Sequence, residues 1–503
     1  MAPGPVAYDV AVLGGGPAGC VLASRLSEDP ERSVCLVEAG PDYGSYAEGG
    51  WPNDLTYANE LAISHDWGLA GGSPSWRARV MGGCSSHNGC FVTWGPPADF
   101  DEWARAGDPG WSSEGLEPYR RRGREMLRVR PSRLDDLEPF MRAGLDAAVE
   151  IGLPMLEDFD DPRISEGAAP ISVNAIGDVR WNAAFAYLDP ARERPNLTIV
   201  SDAVVDRLRF DGDRALGAFV RAGGEEREIA ADLIVLTAGA YGSPAILLRS
   251  GVGPAEYLTR LSIEVRADVP GVGRNLTDHP RVEVVYRPSA DLLDRTRRHL
   301  AAEPDRAQTL IKARSGTCPP DTWDLHVMMR LRSPISDDPR RPPGEPLAHL
   351  YVHVMKPRAR GSVRIDSPDP DALPIVDHGF LSDADGHDTA ALLDGMRLAR
   401  RLATAPAMDG LLEDELSPGP LDDDALAAFV ERSVVGYWHP VGTCAMGPAS
   451  DPGSVVDTSG RLRAFTNVYV ADASIMPTIP RANTHLPVVA VAERIADLLG
   501  GHT

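Results

Sequence analysis

The first sustained apolar run, Tyr8-Asp9-Val10-Ala11-Val12-Leu13, is too short for a buried helix and is bounded by glycine, so it reads as a buried strand. It passes directly into Gly14-Gly15-Gly16-Pro17-Ala18-Gly19, after which Val21, Leu22 and Leu26 recur at helical spacing. A second apolar run, Val34-Cys35-Leu36-Val37, ends at Glu38, 19 residues beyond Gly19. Strand, helix and strand in this order make a βαβ unit with a G-x-G-x-x-G turn in register. Each position has a physical reason. Gly14 permits the tight turn, Gly16 lets backbone N–H groups approach a pyrophosphate, and Gly19 lets the helix pack closely on the strand. Pro17 and Ala18 open a helix whose N-terminus is partly positive and faces the phosphates. Glu38 is placed to accept hydrogen bonds from ribose hydroxyls. The fingerprint by itself does not separate NAD from FAD.

Further along, Ala203–Leu208 and Ala231–Leu236 read as strands, with Asp211-Gly212-Asp213 marking a hairpin turn between pieces of them. Thr237-Ala238-Gly239-Ala240-Tyr241-Gly242-Ser243-Pro244 then reads as a glycine-rich turn leading into an apolar helix, Ala245 to Leu248. Val468-Tyr469-Val470 reads as a strand, and the chain closes on an apolar helix from about Val488 to Leu499. The region from about 281 to 435 is rich in Pro, Asp and Arg and carries no motif. His349 and His353 stand four apart, which on a helix would suit a metal; the intervening Leu350-Tyr351-Val352 favours a strand, and no metal is expected.

Composition narrows the function. The chain has 503 residues, with Asp+Glu 73 against Lys+Arg 50 and a net charge of -23, so a basic footprint for nucleic acid or an anionic membrane is missing. The charge would favour a cationic substrate only weakly, being a property of the whole surface. No apolar run approaches a membrane span and no basic-then-apolar leader opens the chain, so a cytoplasmic protein is expected. Six scattered cysteines without a CxxC pair read as free thiols. Lys312 and Lys356 are the only lysines and neither follows a glycine, which excludes a Walker A loop; their neighbours give no support for a pyridoxal-phosphate lysine. A G-x-S-x-G elbow is also missing.

Three segments together resemble the glucose-methanol-choline (GMC) oxidoreductase family over nearly the whole chain except its middle. They are Arg79-Val80-Met81-Gly82-Gly83-Cys84-Ser85-Ser86-His87-Asn88-Gly89-Cys90, the run Gly239 to Gly253, and His439-Pro440-Val441-Gly442-Thr443 with Asp472-Ala473-Ser474 downstream. The resemblance implies FAD as cofactor. It also implies an α/β fold in which a Rossmann-like FAD-binding domain (1–133, 190–280 and 436–503) is interleaved with an α+β substrate domain (134–189 and 281–435) of antiparallel sheet flanked by helices. Where most members have an aliphatic residue this chain has His87, as in the choline oxidase branch, which implies a covalent bond from His87 to the flavin 8α-methyl.

The remaining roles are likewise what the resemblance implies. Arg79, Gly82, Gly83, Ser86, Asn88, Gly89, Val204, Ala238, Gly239, Asp472, Ala473 and Thr484 join the fingerprint residues around the flavin. His439 is the base for the alcohol proton and Asn483 the partner that hydrogen-bonds the same oxygen, while His279 in Asp278-His279-Pro280 is structural. Tyr437, Trp438 and His485 belong to the substrate pocket, with His485 a rival for the partner role and core packing an equal reading for the two aromatics. The expected activity is oxidation of a primary alcohol or sugar-like hydroxyl by hydride transfer to flavin N5, with O2 as acceptor giving H2O2. A dehydrogenase using a quinone or other acceptor, and a lyase-type or noncatalytic flavoprotein, are the alternatives. The expected partners are a small-molecule alcohol and an electron acceptor, without nucleic acid or membrane, and a homodimer is compatible with this reading.

Overall fold

The computed structural model describes residues 7–59, 62, 64–69, 76–302, 305–332, 344 and 346–501. The predicted βαβ unit is present as the strand Ala7–Leu13, the helix Pro17–Leu26 and the strand Val34–Val37. The paired stretches, residues 10–13 and 34–37, are apolar and buried, as a parallel pair covered on both faces requires, while Ala7 to Asp9 reach toward solvent. They sit inside a seven-stranded sheet. Its parallel part runs Glu225–Leu236, Ala7–Leu13, Val34–Val37 and Leu197–Val200, with Val468–Val470 added beside Glu225–Leu236. An antiparallel meander, Ala203–Asp211, Arg214–Ala222 and Glu225–Leu236, completes it. The turn at Gly212 has φ 58 and joins the first two of these, so the hairpin lies where its turn residues place it, with an extra strand before Glu225.

The helix after Glu225–Leu236 begins at Gly239 and runs to Arg249, six residues earlier than its apolar stretch indicates. Pro244 cannot donate to the carbonyl of Ala240, one turn back. The Thr443 hydroxyl donates to that carbonyl instead at 2.7 Å, which keeps the helix regular through the proline. The terminal helix His485–Gly500 packs on Pro17–Leu26 and on Ser113–Met126.

A second seven-stranded sheet is wholly antiparallel, in the order Leu412–Ser417, Pro280–Pro288, Leu347–Val354, Leu325–Arg332, Thr309–Ala313, Gly167–Pro170, with Val435–Gly436 against Pro280–Pro288. One of its faces, including Val282, Val284, Val327, Met329, Leu350 and Val352, is buried in a core shared with the helices Pro139–Glu150 and His387–Ala403. Side chains of the other face, Arg281, Met328, Arg330, Arg332 and Tyr351, line the cavity described below. Together the two sheets give the mixed α/β architecture expected from the sequence. Among the described residues no helix is long and apolar enough to cross a membrane.

Candidate active site

One cavity runs from the C-terminal end of the first sheet to the polar face of the second. Its nucleotide end is built by the glycine turn. Gly14 has φ 121, and a Cβ there would meet the Thr237 carbonyl carbon at 2.6 Å; a Cβ at Gly19 would lie 1.8 Å from the Gly14 oxygen. At Gly16, by contrast, a Cβ would meet no protein atom closer than 3.9 Å, so the space beside it belongs to the cavity. The helix Pro17–Leu26 has no side-chain cap, which leaves first-turn N–H donors to face an anion. Glu38 is buried at the end of its strand, its two carboxylate oxygens accepting from the Gly15 N–H at 2.8 Å and the Gly40 N–H at 2.9 Å. Burial pushes its pKa up to about 7 despite those bonds.

Across the cavity, the loop after Arg79 presents His87, Asn88 and Gly89. The loop is held from behind by a fully buried guanidinium. Arg180 donates to the carbonyls of Asn88 at 2.8 Å, Leu55 at 2.6 Å, Asp54 at 3.0 Å and Ser86 at 3.2 Å. His87 is itself buried, its Nε2 has no hydrogen-bond partner among the described residues, and burial lowers its pKa to about 4. It is therefore a neutral imidazole with an unpaired nitrogen inside the cavity.

His439 and Asn483 meet on the opposite wall, with Asn483 Nδ2 3.4 Å from His439 Nε2. Thr93 fixes the amide: its hydroxyl donates to Asn483 Oδ1 at 3.1 Å and accepts from the Asn483 N–H at 2.8 Å. The NH2 group is thereby turned toward His439 and toward the Tyr437 hydroxyl, 3.4 Å away. Behind His439, its Nδ1 lies 3.0 Å from His279 Nδ1, while His279 Nε2 lies 3.1 Å from the Pro480 carbonyl oxygen. A carbonyl only accepts, so His279 donates from Nε2; burial lowers its pKa to about 3, and as a neutral ring it accepts at Nδ1. His439 must then donate from Nδ1. Its Nε2 carries the lone pair, aimed into the cavity beside an amide donor.

The backbone before His439 is strained. Trp438 has φ 65, uncommon for a bulky residue, and is held by Arg77, which donates to its carbonyl at 2.8 Å, and by Asp278, which accepts from the His439 N–H at 2.9 Å. The Trp438 ring stacks on Trp76 with centroids 5.2 Å apart, and Tyr437 stacks on His353 at 3.8 Å.

The cavity brings together most of the residues expected there. Gly14, Gly16, Pro17, Ala18, Glu38, Gly83, His87, Asn88, Gly89, Val204, Ala238 and Gly239 line it, as do Tyr437, Trp438, His439, Asp472, Ala473, Asn483, Thr484 and His485. Asp472 organises the Gly239 turn by accepting from its N–H at 2.8 Å and from the Ser243 hydroxyl at 2.6 Å. His485 lies on the His87 side, its Nδ1 3.3 Å from Asn88 Nδ2, and not against His439. Gly19, Arg79, Gly82 and Ser86 lie outside the lining. Arg79 is an exposed side chain donating to the Ala39 carbonyl at 3.1 Å, the Gly82 N–H is tied to Gly15, and the Ser86 hydroxyl donates to Met81 at 3.1 Å. These four act on the loops and not on the cavity surface. Reading the sequence missed Thr93 and Arg180, and gave His279 a structural place where it contacts His439 directly. His349 and His353 lie on the strand Leu347–Val354, with His349 Nδ1 3.0 Å from Glu283.

A glycine turn fit for a nucleotide and a histidine beside an amide donor thus share one cavity. Family models described as GMC oxidoreductase match residues 8–281 and 357–492, and the chain belongs to that family of FAD-dependent oxidoreductases. It is 35% identical to 5-(hydroxymethyl)furfural oxidase of Methylovorus sp., over 98% of each chain. It is 33% identical to choline oxidase of Arthrobacter globiformis, over 98% of this chain and 94% of that one. The crystal structure of pyridoxine 4-oxidase from Mesorbium loti superposes with a TM-score of 0.85 at 30% identity, covering 99% of this chain and 100% of that chain. The open side of Gly16, the uncapped helix N-terminus and the unpartnered His87 nitrogen all fit FAD.

Proposed function

We propose that the protein is an FAD-dependent oxidase of a primary alcohol, with O2 as electron acceptor and H2O2 as product. The observation that carries this is the pairing, in the cavity lining, of His439 Nε2, a lone pair, with Asn483 Nδ2, a donor 3.4 Å from it. An alcohol oxygen placed there would give its proton to His439 while the Asn483 amide stabilises the developing alkoxide. Tyr437, one hydrogen bond from Asn483, and Thr93 behind it keep the amide from turning over. Bound FAD supplies the hydride acceptor and passes the electrons on. We assign the first sheet and its helices (1–133, 190–280 and 436–503) to the cofactor and the rest to the substrate. Three similar proteins whose names are those of oxidases support O2 as acceptor. The test is a panel of alcohols. A substrate should bleach the flavin anaerobically, and admission of air should yield one H2O2 per alcohol oxidised. Bleaching without peroxide, with electrons delivered only to a quinone or dye, would make the protein a dehydrogenase.

Glu38 is proposed to bind the adenosine ribose. Glu38→Gln should weaken FAD association by roughly 1.5–3 kcal/mol, the magnitude of a charged hydrogen bond. The measurement is FAD titration in a His87→Ala background, where a covalent bond cannot mask the loss. Unchanged affinity there would rule the ribose role out.

A further inference from the structure

One wall of the cavity is the polar face of the antiparallel sheet, and the charged side chains by which that face lines the cavity are arginines. Register places Arg281 opposite His353, Tyr351 opposite Met328 and Arg330 opposite His349, so these side chains and Arg332 leave the same face. Arg281, Arg330 and Arg332 all line the cavity that holds His439 and Asn483. Among the described residues none of the three has an ion-pair partner, and the buried Nε of Arg330 has no hydrogen bond. The acids nearby are engaged or weakened: Glu283 is bonded to His349 at 3.0 Å, and burial raises the Glu138 carboxyl to about 7. The guanidinium of Arg281 lies instead over two rings, 5.0 Å from the centroid of Tyr351 and 4.8 Å from that of Trp438, the residue before His439.

Unpaired guanidiniums facing a partly dry cavity cost stability unless an anion completes them. Burial opposes the charge on Arg281 and Arg330, and Arg332 repels both. An arginine fork is shaped for a carboxylate. Aromatic side chains, Trp76, Trp438, Tyr351 and Tyr437, line the same cavity, a lining whose ring edges suit an aromatic ring. We propose that the substrate is a planar aromatic alcohol bearing a carboxylate, held by Arg281, Arg330 and Arg332 while its hydroxymethyl group reaches His439 and Asn483. This rests on the alcohol-oxidase reading above and names the substrate class for the same site. A cationic alcohol such as choline would meet repulsion at this wall, whatever the acidic balance of the outer surface.

The experiment compares 4-(hydroxymethyl)benzoate with its neutral isostere 4-isopropylbenzyl alcohol on the FAD-loaded enzyme, by anaerobic flavin reduction. The carboxylate should be favoured at least tenfold in the ratio of reduction rate to Kd. Arg330→Gln and Arg281→Gln should each lower that preference by about ten- to a hundredfold, the worth of one charge-assisted hydrogen bond. Arg330→Lys, which keeps the charge, should retain part of it and serves if the glutamine variant does not fold. As a readout apart from turnover, 4-methylbenzoate titrated against the flavin absorbance should bind ten- to a hundredfold more weakly to Arg330→Gln. Equal rates for the two alcohols, preference for the neutral one, or an unaltered 4-methylbenzoate Kd would overturn the proposal. If neither alcohol reduces the flavin, it is the oxidase reading that has failed, and the anion site then stands or falls on the titration.

Discussion

Replacing His439 by alanine is expected to slow anaerobic flavin reduction by ~10²- to 10⁴-fold, the range of general acid–base catalysis. The argument is one of proton inventory. Removing an alcohol hydride leaves an oxygen that must lose its proton, and His439 Nε2 offers a lone pair in this cavity beside a donor amide. His279 keeps it available, because its own Nδ1 accepts the His439 Nδ1 proton while its Nε2–H is committed to Pro480. Asn483→Ala should cost less, since it removes stabilisation and leaves the base in place. The double variant should lose less than the product of the two, as two groups acting on one oxygen do. The reverse pattern, with His485→Ala severe and Asn483→Ala silent, would contradict the 3.4 Å pairing of Asn483 with His439.

The pH profile gives an independent check on the same assignment. Burial first, with the positive charge of Arg77 adding to it, holds the pKa of His439 well below that of an ordinary histidine. A base must be unprotonated to act, and a lowered pKa keeps it so across pH 6 to 8. The reductive rate should thus be flat through that window and fall only on the acid side of the usual histidine range. A rate that already falls as pH drops through 7 would place the controlling proton on another group.

How much of this could be read from the chain differs from one part to another. The nucleotide end was legible because each glycine answers a local steric demand: the positive φ of Gly14 and the 1.8 Å approach at Gly19 are set within a few residues or by one neighbouring strand. The helix that starts at Gly239 was harder, since what carries it through Pro244 is a hydroxyl on Thr443, 203 positions from the Ala240 carbonyl it caps. The same distance hides the catalytic wall. Nothing local to Thr93 marks it as the residue that orients Asn483, |i−j| 390 away. His279 sits in a run whose proline and aspartate read as structural, and its bond to His439 exists only after the strand Pro280–Pro288 is laid against Val435–Gly436. The arginine face did leave a trace. Met328, Arg330 and Arg332, and His349, Tyr351 and His353, alternate with apolar neighbours at the period of two that marks a strand with one polar face. Periodicity identifies such a face without saying what lies opposite it, and here that is the cavity.

His87 is expected to carry the flavin covalently, and the effect of removing it should be all-or-none. Its Nε2 is buried without a partner among the described residues, burial holds the ring neutral, and Arg180 fixes the carbonyls on either side of His87, so the nucleophilic nitrogen is presented at little further cost in order. Acid-denatured protein should stay yellow, and its mass should exceed that of the chain by one FAD. His87→Ala should give a colourless pellet with the flavin in the supernatant. The variant should still bind FAD before denaturation, because the glycine turn and the uncapped helix at Pro17 hold the other end. It should also oxidise alcohol more slowly, a histidyl flavin being the stronger oxidant. A bond from the His87 nitrogen to the flavin 8α-carbon would replace an N–H and a C–H by a C–N bond, a two-electron oxidation that would need O2 as the oxidant. Apoprotein loaded with FAD without oxygen should therefore release it on denaturation and retain it after exposure to air. Retention of yellow colour by His87→Ala would move the attachment elsewhere, and its loss from the aerobic wild type would show that His87 only packs against the flavin edge.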